Sequence, residues 1–174
     1  MQAKIVAFSG ISNSGKSTLI QKLITEVFCH QKILVIKHDP KNKAVFDTQG
    51  KDSEKFFNSG ADVILSSPIK IAFFSHYPKE VKTILQENQN QYEYIFIEGY
   101  KDFVCPRICV IRKQWGEIIK QELEFAQAIA TDDRDLRRIY QNYDILELDK
   151  TKEIGNWIIG NAKTLDEVLS MKRS

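Results

Sequence analysis

The segment that most constrains this chain is a glycine-rich run at residues 10–17, with the sequence GISNSGKS. The run fits the pattern G-x-x-x-x-G-K-[ST], whose backbone N–H groups surround a phosphate. An apolar run over residues 3–8 precedes it and predicts a buried strand, and apolar residues at helical spacing follow it over residues 19–28. A helix that begins at the loop directs unpaired N–H groups and its positive dipole end at an anion. The pattern therefore predicts a phosphate-binding loop between a strand and a helix, and hence a nucleotide-binding protein.

The residue types in this loop suggest separate tasks. Gly10 and Gly15 permit a tight backbone path close to the ligand. Lys16 is expected to reach the β- and γ-phosphates, and Ser17 is expected to offer its hydroxyl to a magnesium ion. The residues predicted to bind the nucleotide are Gly10, Ile11, Ser12, Asn13, Ser14, Gly15, Lys16, Ser17 and Thr18.

Composition limits the partners. The 174 residues are enough for one α/β domain, so we predict a single domain over residues 1–174. The chain has 25 Lys and Arg against 23 Asp and Glu, and a net charge of +2 does not predict binding to nucleic acid or to an anionic membrane. The sequence shows neither a secretory signal pattern nor an apolar run of the ~20 residues that a membrane-spanning helix needs. We therefore expect a cytoplasmic protein.

Short apolar runs alternate with helical patterns along the rest of the chain. Further strands are predicted over residues 33–36, 63–65, 69–74, 94–99, 108–111, 126–130 and 144–148. Helices are predicted over residues 54–58, after Pro78, around Ile154 and Ile158, and after a capping box at Thr164. The runs at 63–65 and 69–74 are close enough to form a hairpin. The alternation predicts an α/β fold with three layers and a mostly parallel sheet of the P-loop NTPase type, with an inserted β-hairpin.

Glu98 is the leading carboxylate for a metal ion. It follows the apolar run at residues 95–97, so it lies at the C-terminal end of a buried strand, where open α/β sheets form their ligand crevice. Gly99 beside it leaves room for phosphates to approach. Nucleoside-triphosphate chemistry needs a carboxylate near the metal, so Glu98 is predicted to act with Lys16 in catalysis.

Asp52 follows a long polar loop over residues 40–51, where a switch segment is expected. Two roles fit it equally and do not exclude each other. It is either the N-cap of the helix over residues 54–58 or a carboxylate on the metal side of the site. On the second interpretation Ser17, Asp52 and Glu98 are the predicted metal ligands, and Asp52 joins the catalytic group.

Other polar groups follow the predicted strands. Lys37, His38 and Asp39 come at the end of the second strand and should face the crevice if that strand neighbours the first. Lys101, three residues beyond Glu98, is either an anion contact or a solvated surface lysine.

The sequence has no Asn/Thr-Lys-x-Asp run of the kind that reads guanine in many GTPases. The nearest candidate for a base contact is the run at residues 131–133. Within it, Asp132 is equally an N-cap for the segment at residues 134–136.

Cys105 and Cys109 invite a metal interpretation. Cys109 lies in a predicted buried strand, where cysteine acts as a small apolar residue, and the pair lacks the further ligands of a zinc site. The structural interpretation is favoured.

Taken together, the motifs are more specific than any one of them. They lie at residues 10–18, 35–39, 50–53, 59–61 and 97–101. Their order and spacing resemble the MobB family, the accessory GTP-binding proteins of molybdopterin-guanine dinucleotide cofactor biosynthesis. The resemblance covers about the first two-thirds of the chain.

The resemblance implies a homodimer that binds GTP with Mg²⁺ and hydrolyses it slowly. It also implies that the protein assists the molybdopterin guanylyltransferase, the enzyme that attaches GMP to molybdopterin, with molybdopterin itself as a further partner. Carried onto this chain, the family pattern assigns residues 10–18 to the phosphates. The residues assigned to the shared crevice are Lys37, His38, Asp52, Glu98 and Lys101.

Two other functions fit the same loop. A small-molecule kinase of the phosphate-loop class would use arginines such as Arg134, Arg137 and Arg138 to clamp the transferring phosphoryl group. A nucleotide-gated binding module would hold the nucleotide with negligible turnover.

Overall fold

The computed structural model describes residues 2–45, 47–113, 122–133 and 135–172. The chain divides into two compact units, one of Met1–His38 with Ile84–Ser174 and one of Asp39–Thr83. Arg134 lies outside the described residues, as do the side chains of Arg137 and Arg138, so the arginine clamp of the kinase alternative stays a prediction.

Eight strands are described along the chain. In order they are β1 (Lys4–Ser9), β2 (Ile33–Lys37), β3 (Val63–Ser66), β4 (Ile71–Phe74), β5 (Tyr94–Glu98), β6 (Arg107–Ile111), β7 (Ala128–Thr131) and β8 (Asp144–Glu147). Six of them form one sheet in the order β2-β5-β1-β6-β7-β8, and every neighbouring pair is parallel. The predicted parallel sheet is confirmed.

Six α-helices lie in the part of the chain that the structure describes. They are α1 (Lys16–Lys22), α2 (Asp52–Asn58), α3 (Val81–Asn88), α4 (Leu136–Ile139), α5 (Thr151–Asn161) and α6 (Leu165–Ser170). The capping box predicted at Thr164 is confirmed, because its side chain accepts from the Glu167 amide while the Glu167 carboxylate accepts from the Thr164 amide. The helix expected after Pro78 begins three residues later, at Val81.

The central strands of the sheet are buried on both faces, which explains their continuous apolar runs. Successive residues of a strand point to opposite faces. In β6, Ile108 and Val110 join the core cluster that contains the apolar side chains of α1 and α5, whereas Cys109 and Ile111 pack in a second cluster with Leu136 of α4. Helices therefore cover both faces, and the predicted three-layer arrangement is confirmed.

Helix α1 continues into a π-helical turn at Leu23–Val27, in which the Phe28 amide donates to the Leu23 carbonyl at 2.9 Å. This turn packs closely on α5. A Cβ atom built on Gly155 would lie 2.5 Å from Cγ1 of Val27, so a glycine is needed where the two helices meet.

The smaller unit contains α2 and an antiparallel hairpin of β3 and β4, as predicted. The second strand begins at Ile71 rather than at residue 69, because Ser67 and Lys70 close the turn through the Ser67 N–H to Lys70 carbonyl bond at 2.9 Å. One face of the hairpin packs on α2, where the rings of Phe57 and Phe74 are 6.4 Å apart.

The prediction that Asp52 is the N-cap of this helix is wrong. The N-cap is Lys51, and Asp52 is the first residue of α2. The Asp52 carboxylate instead pairs with Lys55 at 3.2 Å, one turn along the helix. A carboxylate in the first turn is still favourable, since it faces the positive end of the helix dipole.

Candidate functional site

Residues 10–17 form the turn between β1 and α1, as the pattern predicts. Gly10 and Gly15 have φ values of 131° and 97°, which favour glycine. A Cβ atom built on Gly10 would lie 2.4 Å from the carbonyl oxygen of Val110. Glycine at this position therefore allows the loop backbone to lie against β6.

The ammonium group of Lys16 is held by the loop itself. Its Nζ donates to the carbonyl oxygens of Gly10 at 2.9 Å and Ile11 at 2.6 Å. Burial lowers the pKa of Lys16, while the negative charges of Glu98 and Glu122 raise it. The positive charge is thus fixed within the loop that the sequence assigns to phosphate.

Ser17 and Glu98 meet beside this lysine. The Ser17 hydroxyl is 3.0 Å from each carboxylate oxygen of Glu98, to which it donates. The contact forms because β1 and β5 are neighbours in register, with Phe8 opposite Glu98. A hydroxyl and a carboxylate are oxygen ligands of the kind that Mg²⁺ prefers, so this pair fits the predicted metal.

The prediction that Lys37, His38 and Asp39 face the crevice depended on the second strand lying beside the first. In the structure these two strands are not neighbours. Strand β2 lies at the edge of the sheet and pairs with β5. Lys37 nevertheless reaches the same site, because it is opposite Glu98 in the register and its Nζ lies 3.8 Å from the carboxylate. Lys37 therefore reaches the predicted crevice through its contact with Glu98 of β5.

His38 lies one residue further on. Its N–H donates to the Glu98 carbonyl at 2.9 Å, and its ring stacks on that of Tyr100 with centroids 4.2 Å apart. A Cβ atom at Gly99 would lie 2.9 Å from Cβ of His38, so glycine is required between these rings and the carboxylate.

Asp39 and Asp52 belong to the smaller unit, and their contacts within that unit are as follows. The Asp39 carboxylate accepts from the backbone N–H groups of Lys41 at 3.3 Å and Ala44 at 2.6 Å. The Asp52 side chain is 82% exposed. Their predicted roles toward the nucleotide and the metal stay predictions.

Lys101 makes an ion pair with Glu122, a residue that the sequence did not point to. Glu122 is 8% exposed, and its carboxylate accepts from the Gly10 N–H at 3.1 Å. The contact joins residues 112 positions apart, and Glu122 does not directly follow a predicted strand or belong to a motif. Only the tertiary structure reveals this carboxylate at the phosphate-binding loop.

Arg112 is a second residue that the sequence did not identify. Its Nε donates to the Ser14 carbonyl at 3.2 Å, and its Nη1 lies 3.3 Å from the carboxylate of Asp132. Asp132 also accepts from the Lys113 N–H at 2.9 Å. The N-cap interpretation of Asp132 is wrong, because α4 begins only at Leu136 and its N-cap is Asp135.

A cavity of about 350 Å³ lies where β7 and β8 end. The polar residues that line it are Thr131, Asp132, Asp133, Glu147 and Asp149. It includes the run that the sequence offered as the nearest candidate for a base contact. The lining is acidic, so the cavity suits a ligand edge that carries hydrogen-bond donors.

Cys105 and Cys109 are buried free thiols. Burial raises the pKa of each thiol to about 11. Cys109 lies within the fully buried strand β6, which confirms its interpretation as a small apolar residue. Among the residues that the structure describes, no helix has the length and apolar character to cross a membrane.

The parallel sheet, the glycine-rich turn after β1 and the carboxylate at the end of the adjacent β5 together define a protein of the P-loop NTPase fold. Residues 5–132 match the MobB family, described as molybdopterin guanine dinucleotide synthesis protein B. The chain belongs to this family, and the resemblance seen in the sequence is confirmed.

Individual relatives agree. The chain is 32% identical to the molybdopterin-guanine dinucleotide biosynthesis adapter protein of Haemophilus influenzae, over 84% of this chain and 89% of that protein. It is 25% identical to molybdopterin-guanine biosynthesis protein B in a crystal structure, with a TM-score of 0.69 over 90% of this chain and 98% of that one. The crystal structure of Bacillus subtilis MobB shares the fold at 19% identity, with a TM-score of 0.74 over 92% and 98% of the two chains.

Proposed function

We propose that this protein binds GTP together with Mg²⁺ at residues 10–18, hydrolyses it slowly, and serves as an accessory in the attachment of GMP to molybdopterin. The observation that carries the proposal is the contact of Ser17 with Glu98 at 3.0 Å, directly beside the loop lysine Lys16. This arrangement combines a phosphate cradle, a fixed cation and a pair of metal ligands at one end of the sheet.

The loop residues have distinct roles in this proposal. The backbone N–H groups of residues 13–18, in the loop and in the first turn of α1, would donate to the β-phosphate. Lys16 would turn from the Gly10 and Ile11 carbonyls to the β- and γ-phosphates and stabilise the charge that develops when the γ-phosphate leaves. Lys37 would add a second positive charge near Glu98.

Ser17 and Glu98 would hold the magnesium ion through the Ser17 hydroxyl and the Glu98 carboxylate, which is 14% exposed. When bound, the ion neutralises charge on the β- and γ-phosphate oxygens. Turnover is expected to be slow, because the side chains at this site are placed to bind the phosphates and the metal ion. The Glu98 carboxylate is itself held between Ser17 and Lys37.

The acidic cavity beyond β7 and β8 supports GTP over ATP. Guanine presents an N1–H and an amino group side by side, and a carboxylate can accept from both. Adenine presents an acceptor at the equivalent ring nitrogen, which a carboxylate repels. Both carboxylate oxygens of Asp132 are engaged, by Arg112 and by Lys113, so we assign the base contact to Asp133, whose Oδ1 accepts from the Asp135 N–H at 3.0 Å, or to Asp149, which lines the same cavity.

The nucleotide preference is tested by calorimetric titration of the protein with GTP and with ATP, each with Mg²⁺. We expect tighter binding of GTP. We also expect Lys16→Ala to weaken triphosphate binding by about 100-fold or more, since it removes a charge-assisted contact. Lys22→Ala, an exposed lysine on the same helix, is the matched control and should bind normally. Equal affinity of the folded Lys16→Ala protein would refute the loop assignment.

Roles for Asp52, His38 and Asp39 stay part of the proposal. Asp52 is assigned to the metal side, and His38 and Asp39 to the crevice. Asp52→Asn should then raise the Mg²⁺ concentration needed for GTP binding. Asp62→Asn, on the same unit, is the control. An unchanged Mg²⁺ requirement in Asp52→Asn would remove Asp52 from the site.

The family supports the pathway role, and the partner is proposed to be the molybdopterin guanylyltransferase, with molybdopterin as its substrate. A reconstituted reaction with that enzyme, molybdopterin and GTP should form more product when this protein is added. A cytoplasmic location is proposed with it.

If Glu98→Gln abolishes turnover but keeps the stimulation, the protein acts as a nucleotide-gated binding module. ATP preference with phosphate transfer to a metabolite would identify a kinase instead.

We further propose that the protein is a homodimer joined through the hairpin. Direct partners in an antiparallel pair share a face, so Ile64, Ile71 and Phe73 lie together on one face. These side chains are 65%, 71% and 59% exposed. Two-stranded sheets are marginally stable alone, and an apolar face of this kind is typical of an interface.

Sedimentation at micromolar concentration tests the homodimer. The native chain is expected at twice its monomer mass, and Phe73→Ser should weaken association roughly tenfold or more, because aromatic residues dominate interface energies. Phe56→Ser, an equally exposed phenylalanine on α2, is the control. A monomeric native protein would contradict the proposal.

A further inference from the structure

Glu122 connects the phosphate-binding loop to the segment that follows β5. Its Oε2 accepts from the Gly10 N–H at 3.1 Å, and its backbone carbonyl accepts from the Ser9 hydroxyl at 3.2 Å. Its Oε1 accepts from the ammonium of Lys101. One buried carboxylate therefore touches the start of the loop and the lysine three residues beyond Glu98.

The backbone that carries Lys101 is fixed by a buried arginine. Arg107 is fully buried, and its guanidinium donates to the carbonyl oxygens of Gly99 at 3.1 Å, Tyr100 at 2.9 Å and Phe103 at 2.8 Å. The Lys101 charge can therefore change position by rotation of its side chain, while Arg107 holds the backbone on either side of it.

The two partners differ in freedom. The Lys101 side chain is 55% exposed, whereas that of Glu122 is 10% exposed. Because the Glu122 carboxylate is buried, it needs another hydrogen-bond donor when Lys101 leaves it. The Gly10 N–H is such a donor, since it bonds to the other carboxylate oxygen of Glu122. Lys101 is thus the exposed member, with room to change partner, and Glu122 is the buried one.

Both charges act on the site that Lys16 occupies. Glu122 raises the pKa of Lys16, and Lys101 lowers it, so each lies within electrostatic range of the loop lysine. The terminal phosphate of a nucleoside triphosphate carries about two negative charges against one on Glu122, and a nearby ammonium is drawn to the larger charge. A diphosphate has no terminal group at that position.

We propose that Glu122 is a positioning residue, which holds Lys101 beside the phosphate-binding loop and gives it up to the terminal phosphate of a bound triphosphate. Lys101 then distinguishes triphosphate from diphosphate. The charge of Glu122 opposes the terminal phosphate and competes for Lys101, so it sets the triphosphate affinity below the value that the loop would otherwise reach. This inference rests on the proposed nucleotide binding.

The test compares the affinities of the full-length protein for GTP and for GDP, each with Mg²⁺. Lys101→Gln should weaken GTP binding roughly tenfold and change GDP binding by less than about twofold, because only the triphosphate engages the ammonium. Glu122→Gln should strengthen GTP binding by about fivefold or more relative to GDP, since the amide oxygen still accepts from Gly10 but no longer competes for Lys101. Glu124→Gln, an exposed glutamate two residues away, is the control.

The outcomes separate the two proposals. A native protein that binds neither GTP nor ATP removes the proposed function and this inference with it. If the native protein binds GTP, and both folded variants keep the native ratio of GTP affinity to GDP affinity, the inference alone is overturned. If Glu122→Gln does not fold, Lys101→Gln decides, because its side chain is exposed. An unchanged ratio in that variant overturns the proposal.

Discussion

The two units of this protein treat their apolar residues in opposite ways. In the parallel sheet, β6 and β7 are buried along their whole length. In the hairpin of the smaller unit, three of the large apolar side chains of one face are more than half exposed. Both segments read as apolar runs in the sequence.

The difference follows from what covers each strand. Crossovers between parallel strands place helices on both faces, so every side chain of a central strand is buried. The hairpin packs one face on α2 and leaves Ile64, Ile71 and Phe73 on the other. An apolar run in the sequence thus predicts that the strand is covered on both faces. Where the structure leaves such a strand exposed on one face, a partner is expected there.

The largest expected effect contrasts one phenylalanine from each unit. Phe96 is fully buried and its ring contacts Phe8, Phe28 and Tyr94. Phe96→Ala should lower the free energy of unfolding by about 3–5 kcal/mol, because it leaves a cavity in the core. Phe56 is 60% exposed, and Phe56→Ala should cost about 0.5 kcal/mol or less. Denaturant unfolding of both variants measures the contrast, and equal losses would show that exposure does not separate the two units.

A smaller effect compares two glycines of α5. Gly155→Ala should destabilise the protein by about 1–3 kcal/mol, because its methyl group would overlap Val27. Gly160 has no neighbouring atom within 4 Å of an added Cβ, so Gly160→Ala should stabilise the helix by up to about 1 kcal/mol. Thermal unfolding distinguishes the two. Destabilisation by both changes would mean that packing on the π-helical turn is not what requires Gly155.

The smallest effect concerns the capping box of α6. The N–H and hydroxyl of Thr164 lower the pKa of Glu167 to about 2 from an ordinary value of 4.5. A carboxyl group with a depressed pKa in the folded state stabilises the protein above the unfolded-state pKa, and this contribution is lost as the pH falls from about 4.5 toward 2. Melting temperatures of the native chain and of Glu167→Gln should therefore differ slightly at pH 7 and converge near pH 2. A constant difference across that range would exclude the carboxylate as its source.

Much of the fold followed from local patterns. The loop at residues 10–17, the parallel strands, the hairpin and the Thr164 capping box are each encoded in residues close together in the chain, through periodicity, glycines and capping side chains. Two helix starts differ from the local pattern. Asp52 and Asp132 are good N-cap residues, but Lys51 and Asp135 hold those positions. Asp132 instead bonds to Arg112 and Lys113, which follow β6, a contact that no local pattern predicts.

The candidate site divides in the same way. Lys16, Ser17 and Glu98 could be named from the sequence, because a strand end and a glycine-rich loop announce them. The strand order could not be predicted from the sequence. It places β2 beside β5, and for this reason Lys37 lies opposite Glu98. Glu122 and Arg112 reach the loop from across the chain, at separations of 112 and 98 residues.

The sequence by itself determined the phosphate-binding loop, the parallel α/β class and the MobB family, because each depends on residue types at fixed local spacing. The tertiary structure decided which charges surround that loop. Glu98 meets Ser17 because parallel strands bring their carboxyl ends to one edge of the sheet, and Glu122, from the segment before β7, accepts from both Lys101 and the Gly10 N–H. Which groups share that edge depends on the strand order, which is a property of the packed chain and not of any segment.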